Sequence, residues 1–223
     1  MTRIDAVLFD WGDTLFESPH APSVILEAAR AGRIPMDDGA AERVWADIWT
    51  ASKTAQEHAK GRDLSRDAHR RVWTDLFERA KTGIPGIERI LYERVMKPSS
   101  WKPFVDSEPT LRALRDRGLK IGIVSNHPYD LRPFFAEYGL AGYVDAYVLS
   151  GEVGAAKPSP AMFTEASRML GVAPEHALMV GDDAVSDGGA ATVGFQLHLL
   201  PAYEHGAARG LDEVVRIVDR SRA

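Results

Sequence analysis

The sequence has 223 residues, 45% of them hydrophobic and 26% charged, with a net charge of −5 at pH 7. That length suits one large domain or a core with a smaller insert, and the acidic balance argues against a nucleic-acid partner. The absence of cysteine from these residues excludes disulfides, thiolate nucleophiles and thiolate zinc sites among them, and no apolar run approaches the ~18 residues of a membrane span.

The amino terminus, Met1-Thr2-Arg3-Ile4-Asp5, runs straight into a strand pattern without a signal-peptide signature, so the cytoplasm is the expected compartment. Ala6–Asp10 is a short apolar run closed by a carboxylate, the pattern of a strand buried on both faces. Residues 17–99 then hold no strand pattern, and helices are predicted at Pro22–Ala31, Ala40–His58, Ser65–Lys81 and Ile87–Met96. Trp45 and Trp49 stand one turn apart and Val72 and Leu76 repeat the spacing, as the core of a small helical bundle does. Pro98 and Pro103 frame its return linker.

Alternation follows. Helix Pro109–Arg117, closed by Gly118, leads to strand Lys120–Ser125; helix Pro128–Tyr138, ending at Gly139, leads to strand Ala146–Ser150. Ser159 and Pro160 open a helix that runs through Leu170, ahead of strands Ala177–Gly181 and Gln196–Leu200 and a closing helix Leu211–Arg220. The expected fold is α/β: a Rossmann-like, mainly parallel five-stranded sheet core over 1–16 and 100–223, with an inserted all-helical cap domain over 17–99. The insert is expected to form a lid over the crevice.

In such a sheet, ligands sit beyond the carboxyl ends of the strands. Asp10, Ser125 and Asp182 each close or follow an apolar run, so they are expected to meet there, joined by Lys157 from a loop. A carboxylate attacking a phosphate needs a cation to screen the like charges. Mg²⁺ takes one or two carboxylates plus waters and substrate oxygens, and Asp10 and Asp182 supply that pair. The Ser125 hydroxyl, the Asn126 backbone N–H and the Lys157 ammonium are suitable donors to a transferring phosphoryl group.

Four segments in order, Val7-Leu8-Phe9-Asp10-Trp11-Gly12-Asp13-Thr14-Leu15, Ile121-Gly122-Ile123-Val124-Ser125-Asn126, Lys157-Pro158-Ser159-Pro160-Ala161-Met162-Phe163 and Val180-Gly181-Asp182-Asp183 with Asp187, resemble the four motifs of the haloacid dehalogenase-like superfamily. The resemblance covers the whole chain, and the insert is placed where that family carries its helical cap. It implies Mg²⁺-dependent hydrolysis of a small phosphorylated metabolite through a phospho-aspartate on Asp10. The metal would be held by Asp10, Asp182 and the backbone carbonyl of Gly12, with Asp187 either reaching it through water or capping the following helix. For Asp183 the cap is the favoured role.

The pattern departs from the family's phosphatases at one place. They carry a second aspartate two residues after the nucleophile as acid/base, and Gly12 stands there. Loss of such a group costs about 10²–10⁴ in rate, and Asp13 is the candidate replacement. Three alternatives stay open. A 2-haloacid dehalogenase also lacks that aspartate; a phosphonoacetaldehyde hydrolase-like enzyme would use Lys53 or Lys60 as a Schiff base; a binding relic would have lost catalysis at Gly12. Of the seven histidines, only His127 is a neighbour of a motif.

Overall fold

The computed structural model describes residues 2–223. The chain divides into two compact units, one formed by Met1–Ser18 with Trp101–Ala223 and the other by Pro19–Ser100. No helix among the described residues is long and apolar enough to cross a membrane.

In the first unit, β1 (Ala6–Phe9) is followed by the short β2 (Phe16–Glu17), after which the chain enters the second unit. That unit is all-helical: α1 (Pro22–Ala31), α2 (Asp38–Ser52), α3 (Ala55–His58), α4 (Arg66–Arg79) and α5 (Ile87–Val95). Its interior is built on Ile25, Trp45, Ile48, Val72, Phe77 and Leu91, all buried. The ring centroids of Trp45 and Trp49 lie 6.0 Å apart, and those of Trp45 and Phe77 6.5 Å, so the tryptophan stripe packs helix against helix. The sequence pattern predicts one helix over Ala40–His58, but the chain breaks after Ser52. The Ser52 hydroxyl donates to the Trp49 carbonyl and the Thr54 hydroxyl to that of Ala51, which competes with the helix ladder, and Thr54 then caps α3.

Back in the first unit, β3 (Lys102–Pro103) pairs antiparallel with β2. The chain continues through α6 (Ser107–Asp116), β4 (Lys120–Ser125), α7 (Arg132–Glu137), β5 (Ala146–Leu149), α8 (Ser150–Val153), α9 (Pro160–Leu170), β6 (Ala177–Gly181), β7 (Gln196–Leu199) and α10 (Asp212–Arg222). The main sheet is five-stranded in the order β5-β4-β1-β6-β7, with every pair parallel. This is the mainly parallel α/β arrangement that the alternating pattern predicts. The two-stranded ribbon of β2 and β3 escapes prediction because two-residue strands carry no periodicity.

Pleating sends Ala6 and Leu8 into one core layer with Met162, Phe163, Ala166 and Leu170 of α9. Val7, Phe9, Ile121 and Ile123, offset by one residue, are fully buried as well. Both faces of the central strand are therefore dry, as its unbroken apolar run requires. α7 starts at Arg132, four residues later than the pattern suggests, because the Asp130 carboxylate accepts from the Arg132 N–H and turns the chain there.

Candidate active site

The chain runs from β1 out to β4 and β5 on one side and returns to β6 and β7 on the other, so β1 lies at the reversal of strand order. Ligands in this class of sheet bind beyond the carboxyl ends at that reversal. The register carries three motifs to the same edge. Phe9 pairs with both Ile123 and Val180, and the Asp10 N–H donates to the Val180 carbonyl at 2.9 Å. Asp10, Ser125 and Asp182 thus follow or close neighbouring strands at one edge.

The centre of this edge is a buried ammonium. The Lys157 side chain is 2% exposed, with Nζ 2.8 Å from Asp10 Oδ1 and 2.7 Å from Asp187 Oδ1. Its backbone is held by Asn126, whose Oδ1 accepts from the Lys157 N–H at 2.6 Å and whose Nδ2 donates to the Lys157 carbonyl at 3.0 Å. The sequence offers only the backbone N–H of Asn126 as functional; its side chain clamps one motif to another. Ser125 is buried at the end of β4.

Asp187 is fully buried, and its second oxygen accepts from the Asp183 N–H at 3.0 Å. Gly181 makes this possible. A Cβ on that residue would lie 2.0 Å from Asp187 Oδ2, so only glycine lets the strand end pass the carboxylate. Asp183 is exposed and accepts from the N–H groups of Val185 and Ser186 at 2.8 and 3.2 Å, so it closes the turn ahead of the following helix, which begins at Asp187 with Ser186 at its N-cap position and no side-chain cap. Asp182 Oδ1 accepts from the Thr14 hydroxyl at 3.2 Å. Thr14, fully buried and absent from the sequence-based set, carries no signal apart from its place in the first motif.

Oxygens of Asp10, Asp182 and Asp187 all lie within 4.8 Å of one another. Opposite ligands on Mg²⁺ stand about 4.2 Å apart at its usual bond lengths, so this all-oxygen set fits a hard divalent cation with little movement. Electrostatics agree. Burial pushes the Asp10 carboxyl up to about 7; the Lys157 charge opposes this, while Asp187 and Asp182 add to it. For Lys157, burial works against the charge, yet Asp10 and Asp187 outweigh it and hold the ammonium above its ordinary value. The site therefore carries more negative charge than its one ammonium balances.

Asp13 lies outside this group. Its backbone is left-handed (φ 57°), and its Oδ1 accepts from the Ser18 N–H at 3.2 Å, the Ser18 hydroxyl at 2.5 Å and the Tyr203 hydroxyl at 2.8 Å. A turn of that hand is not visible in spacing, which is why sequence cannot say where this carboxylate points. Gly12 has its own neighbour: a Cβ there would lie 3.2 Å from the Trp101 ring. Trp101 stacks on Trp11 with centroids 3.9 Å apart, and His127 meets Trp11 edge-on at 5.2 Å. In the helical unit, Lys53 lies 5.6 Å from the Trp49 ring centroid and Lys60 is engaged by both oxygens of Glu57 at 2.7 and 2.8 Å.

A family model described as haloacid dehalogenase-like hydrolase matches residues 4–193. Haloacid dehalogenase-like hydrolase domain-containing protein 3 of Mus musculus is 30% identical over 198 residues, covering 84% of this chain and 76% of that protein. The glyceraldehyde 3-phosphate phosphatase of Methanopyrus kandleri is 32% identical over 188 residues, covering 80% and 76% respectively. Among solved structures, an HAD phosphatase from Thermococcus onnurineus superposes with a TM-score of 0.63 at 30% identity, covering 99% of this chain and 100% of that one.

The close approach at Gly181 makes a direct prediction. Gly181→Ala should drive Asp187 off Lys157 and destabilise the protein by about 1–3 kcal/mol or more, as overpacking of a tight interior does. Urea unfolding measures this through the midpoint, and an unchanged midpoint would show that the strand end and Asp187 separate at no cost.

Proposed function

The chain belongs to the haloacid dehalogenase-like hydrolases, and on that footing we propose that it is a Mg²⁺-dependent phosphatase of small phosphorylated metabolites, acting through a phospho-aspartate on Asp10. The observation that carries this reading is the buried Lys157 flanked by Asp10 and Asp187, beside Asp182, at the sheet reversal. Phosphatases among the relatives support it.

In the proposed mechanism Asp10 attacks phosphorus as the leaving oxygen departs, and water then hydrolyses the aspartyl phosphate. Lys157 keeps Asp10 aimed, and its ammonium, the Ser125 hydroxyl and the Asn126 N–H stabilise charge on the transferring group. Asp10, Asp182 and the Gly12 carbonyl would hold the cation; Asp187, with both oxygens engaged, would reach it through water. Bound Mg²⁺ supplies the screening that lets a carboxylate approach a phosphoryl group. The helical unit serves in this reading as the cap that selects substrates. An excess of carboxylates favours phosphoryl transfer over halide departure, and the engagement of Lys60 by Glu57 argues against it as a Schiff-base amine.

Neither candidate acid/base is available in this reading. A side chain at position 12 would press on Trp101, and Asp13 is occupied by Ser18 and Tyr203. Protonation of the leaving group is then left to the substrate or to water, which withholds about 10²–10⁴ in rate, or roughly 3–5 kcal/mol of barrier, from poor leaving groups.

The deciding experiment screens phosphate esters, phosphonoacetaldehyde and 2-haloacids, each with Mg²⁺ and with chelator. Phosphate release that requires Mg²⁺ is expected and should vanish in Asp10→Asn, because an amide cannot attack phosphorus. Halide release in chelator, or near-native phosphatase activity in Asp10→Asn, overturns the proposal.

A second expectation concerns protons. Without a cation, Asp10 titrates at about 7, above its ordinary 3.8, so the folded protein holds this proton more tightly than the unfolded chain. The contribution of this group to stability accordingly falls as pH rises from about 4 to about 7. A cation favours the ionised form, so Mg²⁺ binding should release up to about one proton per site near pH 6 and close to none at pH 8.5. Calorimetry in buffers of different ionisation enthalpy counts these protons; release that does not vary with pH would refute the assignment of Asp10.

Leaving-group dependence is the third. Acyl and aryl phosphates should turn over about 10²-fold or more faster than alkyl phosphates, and Asp13→Asn should change neither rate by more than a few-fold. An enzyme indifferent to leaving-group pKa, or one crippled by Asp13→Asn, would show that a proton donor operates after all.

A further inference from the structure

The segment between β7 and α10 belongs to none of the four motifs, yet it is fastened to the first of them. Arg209 is 3% exposed, and its Nε donates to the Asp13 carbonyl at 2.6 Å while its Nη1 donates to the Pro201 carbonyl at 2.6 Å. Its guanidinium lies 4.9 Å from the Tyr203 ring centroid and 5.9 Å from that of Phe104. Tyr203 in turn donates its hydroxyl to Asp13 Oδ1 at 2.8 Å and sets its ring perpendicular to Phe104. At the far end, the Asp106 carboxylate accepts from the N–H groups of Arg209, Gly210 and Leu211 at 3.1, 2.8 and 2.9 Å. The segment is pinned on both sides of Arg209.

What is gripped is the turn that carries Asp10 and Gly12. Asp13 adopts a left-handed backbone (φ 57°), which a non-glycine residue keeps only where its surroundings over-determine it. Arg209 holds its carbonyl and Tyr203 with Ser18 its carboxylate. A neutral donor would serve to hold a carbonyl, whereas burying a guanidinium costs solvation. Burial accordingly lowers the pKa of Arg209, and Asp182 is the strongest of the carboxylates that oppose this.

We propose that Arg209, with Tyr203, is a positioning element of the divalent-cation site: it fixes the backbone of the Asp10–Asp13 turn, whose Gly12 carbonyl would face the cation. This rests on the Mg²⁺-dependent reading above. Arg209 and Tyr203 meet Asp13, the residue after Gly12, and groups that orient metal ligands typically contribute about 10–100-fold in metal affinity.

The test is titration calorimetry of the full chain with Mg²⁺ and no substrate, on wild type, Tyr203→Phe, Arg209→Lys and Arg209→Met, each with its melting temperature in EDTA. Arg209→Lys keeps the charge and loses the fork, so it should raise the Mg²⁺ dissociation constant about tenfold. Arg209→Met also removes a positive charge that opposes cation binding, so its rise should be smaller, and Tyr203→Phe should show a several-fold rise. At saturating Mg²⁺ the KM for p-nitrophenyl phosphate should stay near wild type. A purely structural role would lower the melting temperature in EDTA and leave Mg²⁺ affinity unchanged. Dissociation constants within about twofold of wild type in folded Arg209→Lys and Tyr203→Phe overturn the proposal, and Tyr203→Phe alone decides if Arg209→Lys does not fold. A wild-type protein that takes up no Mg²⁺ overturns both readings. One that binds Mg²⁺ but releases no phosphate overturns only the phosphatase reading, and the affinity comparison then decides this one.

Discussion

A lysine ammonium withdrawn from water holds the candidate active edge of this protein together. Desolvating such a charge costs several kcal/mol, and the cost is recovered only when carboxylates stand at contact distance in good geometry. Lys157 meets that condition through Asp10 after β1 and Asp187 after β6, while Asn126 after β4 grips its backbone. Three strand ends and one loop therefore meet at a single charge. The arrangement is mutually conditional: removing one partner of a buried pair typically costs about 3–5 kcal/mol, because the other is left uncompensated. The same electrostatics leave Asp10 poised, since burial raises its pKa and only Lys157 pulls against it. Oxygens of Asp10, Asp182 and Asp187 gathered within 4.8 Å of one another could hold a cation there.

Packing beside that charge is aromatic and tight. Trp11 is buried between Trp101, His127 and Phe134, with centroids 3.9, 5.2 and 4.9 Å away. A Cβ on Gly12 would lie 3.2 Å from the Trp101 ring in the same cluster. Gly12→Asp would therefore ask that ring to shift by a few tenths of an ångström.

The helical unit has an interior of its own. Glu57 is buried and engaged by Lys60 and Arg79, a cluster in which side-chain and charge interactions hold its pKa below the ordinary value against burial. Arg62, also buried, lies 5.2 Å from the Trp73 ring centroid. Stacked tryptophans and paired charges give this insert the means to fold around itself, which an 82-residue segment between Pro19 and Ser100 requires.

Sequence alone determined the parts whose cause is local. Apolar runs such as Lys120–Ser125 and Ala177–Gly181 match the observed strands residue for residue, because a strand buried on both faces has no polar residue to interrupt it. Glycine and proline marked helix ends for equally local reasons, as at Pro160 opening α9 and Gly139, left-handed just beyond α7. The order of motifs along the chain was sufficient to name Asp10, Lys157, Asp182 and Asp187 as one group. Tertiary structure alone decided what depends on direction and on distant partners. The left-handed turn that swings Asp13 toward Tyr203, 190 residues away, leaves no trace in spacing. Nor does the clamp of Asn126 on Lys157, the hydroxyl of Thr14 on Asp182, or the reach of Arg209 to the Asp13 carbonyl. Periodicity records which face of an element is dry; it holds no record of which remote polar group a side chain will meet once the sheet has closed.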